Sequence, residues 1–332
     1  MKKLLAFSLA AIALFSSCGN RKAVLLPNVS GKAGEVIVVM TKADWEGALG
    51  NATRDILAAD CPWLPIREPL YSLVNIIPGD FANLFKVHRN IVYFDVNPQV
   101  SESAVKLVKD KWATPQCLVY ISAATSEDAL ALLQDNSSKI TSYIEQAERN
   151  RVISNTLHYE ERALAQQVSE IFGGSPHFPI GYSLKKKTSD FVWIADEKQY
   201  TNQAVLIYRY PADEDPLKLD KIVSHRNAIL KANVPGMFEN TYMTTGTMPQ
   251  PYLEYVKYNG RDFAQVRGWW EVENDYMAGP FVSQSFYSPD GTDIIVAEAF
   301  LYAPKYDKRQ YLRQVESLLY SWEWNEVKKA EK

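Results

Sequence analysis

Arg267, Trp269, Glu271 and Glu273 fall at alternate positions of the run 265–273 (QVRGWWEVE). In a strand they share one face, while Val266, Gly268, Trp270 and Val272 take the other. An arginine beside a tryptophan and two carboxylates could line a groove for a polar or sugar-like ligand. The same pattern also describes the solvent side of a sheet, where charged and aromatic neighbours support one another across strands. Glu298, on a later apolar run, joins whichever face its register selects. A second candidate is the stretch 233–251, where Met237, Phe238, Tyr242 and Met243 are interrupted by Gly236 and Gly246. It reads as a soft apolar contact loop or as a segment folded back over the second sheet.

Catalytic signatures are missing from the sequence, so no catalytic residue is assigned. The four histidines, His88, His158, His177 and His225, are far apart, and neither HExxH nor a cysteine cluster is present, so no metal is expected. The chain also lacks a GxSxG elbow, a P-loop and a dinucleotide fingerprint, and no cofactor is expected. The net charge of −3 becomes −5 once Lys2 and Lys3 are set aside, which argues against a nucleic-acid partner.

Residues 1–18 have the parts of an export signal: two lysines, an apolar run from 4 to 15, then Ser16, Ser17 and Cys18. The run is too short to span a bilayer comfortably and reads as a cleaved leader. Small residues just before a cysteine look like a bacterial lipobox, with Phe15 standing where leucine is usual. Cys18 is then the lipidated first residue, and several acyl chains make the lipid bilayer a partner. Cys61 and Cys117 are the remaining thiols. An oxidising compartment permits a bridge between them, and burial of Cys117 in its apolar run is the alternative.

The elements that must position these groups follow in order. After a tether at 19–33, strands are expected at 35–40, 71–77, 91–96 and 117–122, with helices over 43–59 and 103–112. This β-α-β-β-α-β succession suggests a ferredoxin-like first lobe spanning 34–125. A helical connector covers 126–174, dominated by a run at 139–172 with no proline or glycine. Unbroken, that run would extend on the order of 50 Å, enough to join two lobes. Any groove between them would lie along its polar side, near Arg149, Arg151, His158 and Glu161. The second lobe, 175–332, holds further strands, a helix at 217–232, an antiparallel meander at 253–302 and a closing helix at 306–324. Asn259-Gly260 and Asp290-Gly291 mark tight turns within it. The fold class is therefore α+β: two two-layer α/β-sandwich lobes joined by a long helix.

The leader SSCGN, the segment GKAGEVIVVM, the stretch PLYSLVNIIPGDFANLFKVHRNIVYFDV, and the distal FVWI and RGWWEVEN together resemble a family of Bacteroidetes lipoproteins, a domain of unknown function (DUF4837). The resemblance covers about residues 27–324. It implies an envelope protein and brings no catalytic residues. Surface export in such lipoproteins is associated with acidic residues after the cysteine. Arg21 and Lys22 stand there instead, which implies a protein facing the periplasm. The function expected is a membrane-anchored binding or accessory protein whose partner is an envelope protein or glycan. The alternative is an envelope glycan or peptide hydrolase or transferase.

Overall fold

The computed structural model describes residues 25–64 and 66–325. The leader and Cys18 lie outside the described residues. From Pro27 to Ser30 the chain is hydrogen-bonded to the body, through Val87, Arg89 and Thr114. That part of the expected tether is thus built into the first lobe.

The first lobe opens with β1 (Glu35–Val39), a run of β-branched residues buried on both sides. Val36 and Val38 enter one core, and Ile37 and Val39 another. A strand covered on both faces is typical of parallel sheets, and the pairings agree. α1 (Lys42–Glu46) and α2 (Ala48–Leu57) carry the chain across to β2 (Ser72–Ile76), which lies parallel to β1. A short α3 (Asn83–Lys86) leads to β3 (Asn90–Val96), then come β4 (Ala104–Lys109) and β5 (Cys117–Ala123). The sheet order is β2-β1-β3-β5-β4. β1, β2, β3 and β5 run parallel, and only β4 is antiparallel, against β5.

This corrects two expectations. The ferredoxin-like succession requires a helix at 103–112, yet its middle is an edge strand. Val105 and Leu107 turn towards one core and Val108 towards the other, a period of two that a short apolar run does not advertise. The sheet is consequently mainly parallel, not the antiparallel split β-α-β arrangement.

α4 (Ser126–Asp135) and α5 (Ser137–His158) follow, separated at Asn136. Ile140 and Ile144 sit in the first core, while Val152 and Ile153 pack against the second. The long helix therefore links the two sheet-bearing regions by belonging to both. Its row of buried side chains changes from apolar to polar at Glu148 and Thr156. The expected continuous run does not hold. At Tyr159 the backbone leaves the helix, and Tyr159 and Glu161 exchange hydrogen bonds with Ile180 and Phe178. No glycine or proline marks this break, because tertiary pairing causes it.

α6 (Arg162–Phe172) inserts Leu164, Val168 and Phe172 into the second core and ends at Gly173, whose φ of 73° is left-handed, a conformation glycine adopts without strain. Next come β6 (Gly174–Ser175), β7 (Ser183–Lys187), β8 (Phe191–Lys198), β9 (Thr201–Pro211), α7 (Leu219–Asn233), β10 (Met243–Thr245), β11 (Tyr252–Tyr258), β12 (Arg261–Val272), β13 (Ala278–Tyr287), β14 (Asp293–Tyr302), α8 (Arg309–Leu319) and β15 (Glu323–Trp324). An antiparallel sheet runs β10-β12-β13-β14-β9-β8-β7, with β11 also paired to β12. Four successive strands, β11 to β14, each pair with the next. α6 and α8 cover one face of the sheet, and α7 covers the other. The second lobe thus has three layers where two were expected, because α7 buries Ile222 and Leu230 on the far face.

α8 is the second link between the lobes. The backbone N–H groups of Lys308 and Arg309, at its start, donate to Glu68 of the first lobe at 2.7 and 2.8 Å. A carboxylate at a helix N-terminus satisfies orphan donors and meets the positive end of the dipole. One turn on, Arg313 makes a bidentate pair with Glu145 of α5, at 2.6 and 3.1 Å.

Candidate functional site

The first candidate set is divided by the sheet. Arg267, Trp269 and Glu271 do share the α8 face of β12, half-buried, as strand alternation dictates. Glu273 lies one residue beyond the strand, exposed in the turn, so alternation does not apply to it. Glu298 stands on the opposite face, fully buried under α7. There its carboxylate accepts from Arg226 Nε at 2.9 Å and from a terminal nitrogen of Arg226 at 2.7 Å. The pairing of β14 with β9 and β13 fixes this side, and the sequence does not encode that register.

Arg267 is committed to an ion pair. Its guanidinium is held by Glu316 of α8 in a bidentate pair at 2.5 and 3.1 Å. The pair borders a cavity of about 190 Å³ that also holds Cys61, Glu145, Arg149, Arg309 and Arg313. Burial alone would raise the Glu316 carboxyl, but the Arg267 charge and hydrogen bonds outweigh it and hold the group below its ordinary value of 4.5. A carboxyl depressed in the folded state contributes stability above its unfolded pKa, and that stability is lost as pH falls through the lower, folded value. We therefore expect Glu316→Gln to flatten the acid side of the unfolding profile below about pH 4.5, as read from unfolding midpoints against pH. An acid limb unchanged by the substitution would contradict this.

Cys61 and Cys117 are both unpaired thiols. Burial pushes Cys61 up to about 11 and Cys117 up to about 12, so neither is an activated nucleophile at neutral pH. In the contact loop, Met237 and Phe238 are largely exposed, Tyr242 is half-buried beneath the Lys231 ammonium, and Met243 is buried.

A cleft of about 390 Å³ lies between the lobes along α5. The first lobe contributes Arg89, and α5 contributes Glu148, Arg151, Asn155 and Thr156. Tyr182, Asp196, Lys198 and Gln203 close it from the second sheet, and Gln310 and Gln314 from α8. Ligand sites favour such boundaries between structural units. Of the polar positions expected along the helix, Arg151 lines this cleft. Arg149 faces the smaller cavity, its guanidinium 3.5 Å from the centre of the Tyr320 ring. His158 and Glu161 line neither.

The cleft is built around Glu148, 0% exposed. It accepts from Arg89 at 2.9 Å, from Arg151 at 3.1 Å and from the Asn90 amide at 2.6 Å. Arg151 is fixed further by the carbonyls of Arg89 and Pro115 and by the Asn90 side-chain oxygen. Burial lowers the pKa of Arg151, and Glu148 opposes that shift. On the opposite wall Lys198 pairs with Asp196 at 2.7 Å. Burial raises the Tyr182 phenol well above its ordinary range, leaving it a neutral hydroxyl.

Two groups of the wall are buried without a hydrogen-bond partner among the described residues: Arg89 Nε and the side-chain carbonyl of Gln203. Gln203 is 8% exposed. Such groups are costly unless something satisfies them. Sequence reasoning missed Gln203, Arg89 and Asn90, since single polar residues on apolar strands carry no motif. Glu148 did leave a signal, because it continues the four-residue row of Ile140 and Ile144 with a carboxylate.

Among solved structures, the Ran-binding protein Mog1p of Saccharomyces cerevisiae is similar at 7% identity over 46% of this chain and 90% of its own, with a TM-score of 0.30. A Mog1 mutant gives 9% identity, the same coverage and a TM-score of 0.29. The lipid transfer and protein localization domain of human StarD13 gives 13% over 47% of this chain and 95% of its own, with a TM-score of 0.18. These scores are too low to bear on the site. No curated protein matches the chain. Residues 29–157 match a domain of unknown function, DUF8532, and residues 161–321 match another, DUF4837, so that the junction between the two falls at the break between α5 and α6.

Proposed function

We propose that this is a lipid-anchored binding protein of the bacterial envelope, facing the periplasm and holding a small hydroxyl- or amide-rich molecule in the cleft along α5. A fragment of an envelope glycan or peptide has that chemistry. The observation that carries the reading is the cleft wall itself. Side-chain amides of Asn155, Gln310 and Gln314 share the cleft wall with two groups, Gln203 Oε1 and Arg89 Nε, that lack partners among the described residues. A ligand offering both donors and acceptors would satisfy them. Amides are suited to this because each presents both kinds of group.

Binding is favoured over hydrolysis by the state of the carboxylate. Glu148 is engaged by two guanidinium groups, so the buried carboxylate of the cleft has fixed partners in place of a reacting substrate. Attachment through Cys18 rests on the lipobox-like run SSC and on the multiple acyl chains a stable anchor needs.

Peptidoglycan fragments released by a muramidase, titrated into the mature chain by calorimetry, test the reading. Saturable binding is expected in the wild type, with affinity about tenfold lower for Gln203→Leu, the equivalent of one lost hydrogen bond to a buried group. The absence of binding to the wild type would overturn it. Mass spectrometry of the native N-terminal peptide should show a diacylglyceryl and acyl-modified Cys18. An unmodified Cys18 would remove the anchor from the proposal.

A further inference from the structure

A further cavity, about 260 Å³, lies on the other side of the second sheet, where the loop after α7 crosses the ends of the strands. Its floor is aromatic: Trp193, Trp270, Phe300 and Tyr302. Met237, Met243 and Met277 form its sides. Methionines on a rim accommodate apolar shapes, because the unbranched thioether has several low-energy rotamers. The loop is held in place. A side chain at Gly236 would run into Thr241 and Val272, and the backbone of Gly236 and Met243 bonds to Thr241 and Val234.

The two indoles of the cavity differ. Trp270 donates its ring N–H to the carbonyl of Leu301 at 3.2 Å. The ring N–H of Trp193 is buried and has no acceptor among the described residues. Trp193 belongs to β8 and projects from the same sheet face as Asn202 of β9, four residue pairs further along the ladder. Asn202 donates its amide to Glu197 at 3.1 Å, while its side-chain carbonyl is buried without a donor among the described residues. An apolar chamber with one free donor and one free acceptor has the composition of a small-molecule site, where a few polar groups orient a mainly apolar ligand.

We infer that this cavity binds a neutral aromatic small molecule that carries a hydrogen-bond acceptor for the Trp193 ring N–H. This site is independent of the cleft along α5, from which the whole second sheet separates it.

Two probes of nearly equal shape test the inference on the mature chain, followed by their fluorescence: 2-naphthol, which has an oxygen acceptor, and naphthalene, which does not. The wild type is expected to bind 2-naphthol saturably and about tenfold more tightly than naphthalene, one hydrogen bond to an otherwise unpaired buried donor. Trp193→Phe keeps the apolar wall and should abolish that preference while leaving naphthalene within about threefold. Met237→Glu, at a residue 78% exposed, cannot disturb the core. It should weaken both probes about tenfold by placing a charge on an apolar rim. Absence of saturable 2-naphthol binding, equal affinity of the two probes for the wild type, or unchanged affinities in Met237→Glu would each overturn the assignment.

Discussion

Replacing Glu298 by alanine is expected to lower the stability of the second lobe by about 3–5 kcal/mol, the cost of leaving a buried charge without its partner. Glu298 and Arg226 are both 0% exposed. The remaining donors of that network are already used: Arg226 reaches Thr245 at 2.8 Å, and Thr245 reaches Asn227 at 2.6 Å. The guanidinium also lies 3.9 Å from the centre of the Phe281 ring. With Glu298 gone, the buried guanidinium loses its carboxylate and the Tyr208 hydroxyl, which donates to Glu298 at 3.3 Å, loses its acceptor. The double substitution Arg226→Met with Glu298→Leu removes both charges and should recover most of the loss, since an apolar pair of similar volume is often neutral or better. Urea unfolding monitored by tryptophan fluorescence measures both. A loss of under about 1 kcal/mol for Glu298→Ala would be the value of a surface pair and would contradict the buried network.

The second large effect is expected at Glu148. Glu148→Ala would remove the carboxylate that Arg89 and Arg151 share and leave Arg151 with only the neutral oxygens of Asn90, Arg89 and Pro115. A destabilisation of about 3–5 kcal/mol follows from the same argument. It should be accompanied by loss of binding in the cleft, because both arginines line it. Glu148→Gln keeps the shape and one acceptor, and should lose less stability than alanine. Unfolding and ligand titration on the same preparations separate the two consequences. If Glu148→Ala binds peptidoglycan fragments as the wild type does at a temperature where both are folded, the cleft is not the site.

Much of this fold is legible in the sequence where one element decides its own fate. The β-branched run of β1 and the turn at Asn259-Gly260, with φ of 48° and 77°, needed no partner to be recognised. Whatever depends on a partner was not legible. Residues 104–109 have an apolar pattern open to helix or strand, and only the free edge of β5 makes them a strand. The helix break at Tyr159 is imposed by the Pro179 segment, and the parallel order of the first sheet follows from crossovers that no dipeptide marks. The candidate residues behaved in the same way. Alternation placed Arg267, Trp269 and Glu271 on one face, a local rule. The side taken by Glu298 depends on strand register, and the capture of Arg267 by Glu316 on the docking of α8. The cleft is assembled from residues as far apart in sequence as Arg89, Glu148, Gln203 and Gln314, brought together only when α5 bridges the lobes.

That α5 builds a site shared by both lobes is the central claim, and hydrogen exchange tests it most directly. The protein is compared with and without saturating peptidoglycan fragments. Protection is predicted in two places at once: the second half of α5, around residues 148–156, and the β8–β9 hairpin, around residues 196–203. Protection confined to one of these segments, or absent from both while the fragments are bound, would contradict a ligand held between the lobes.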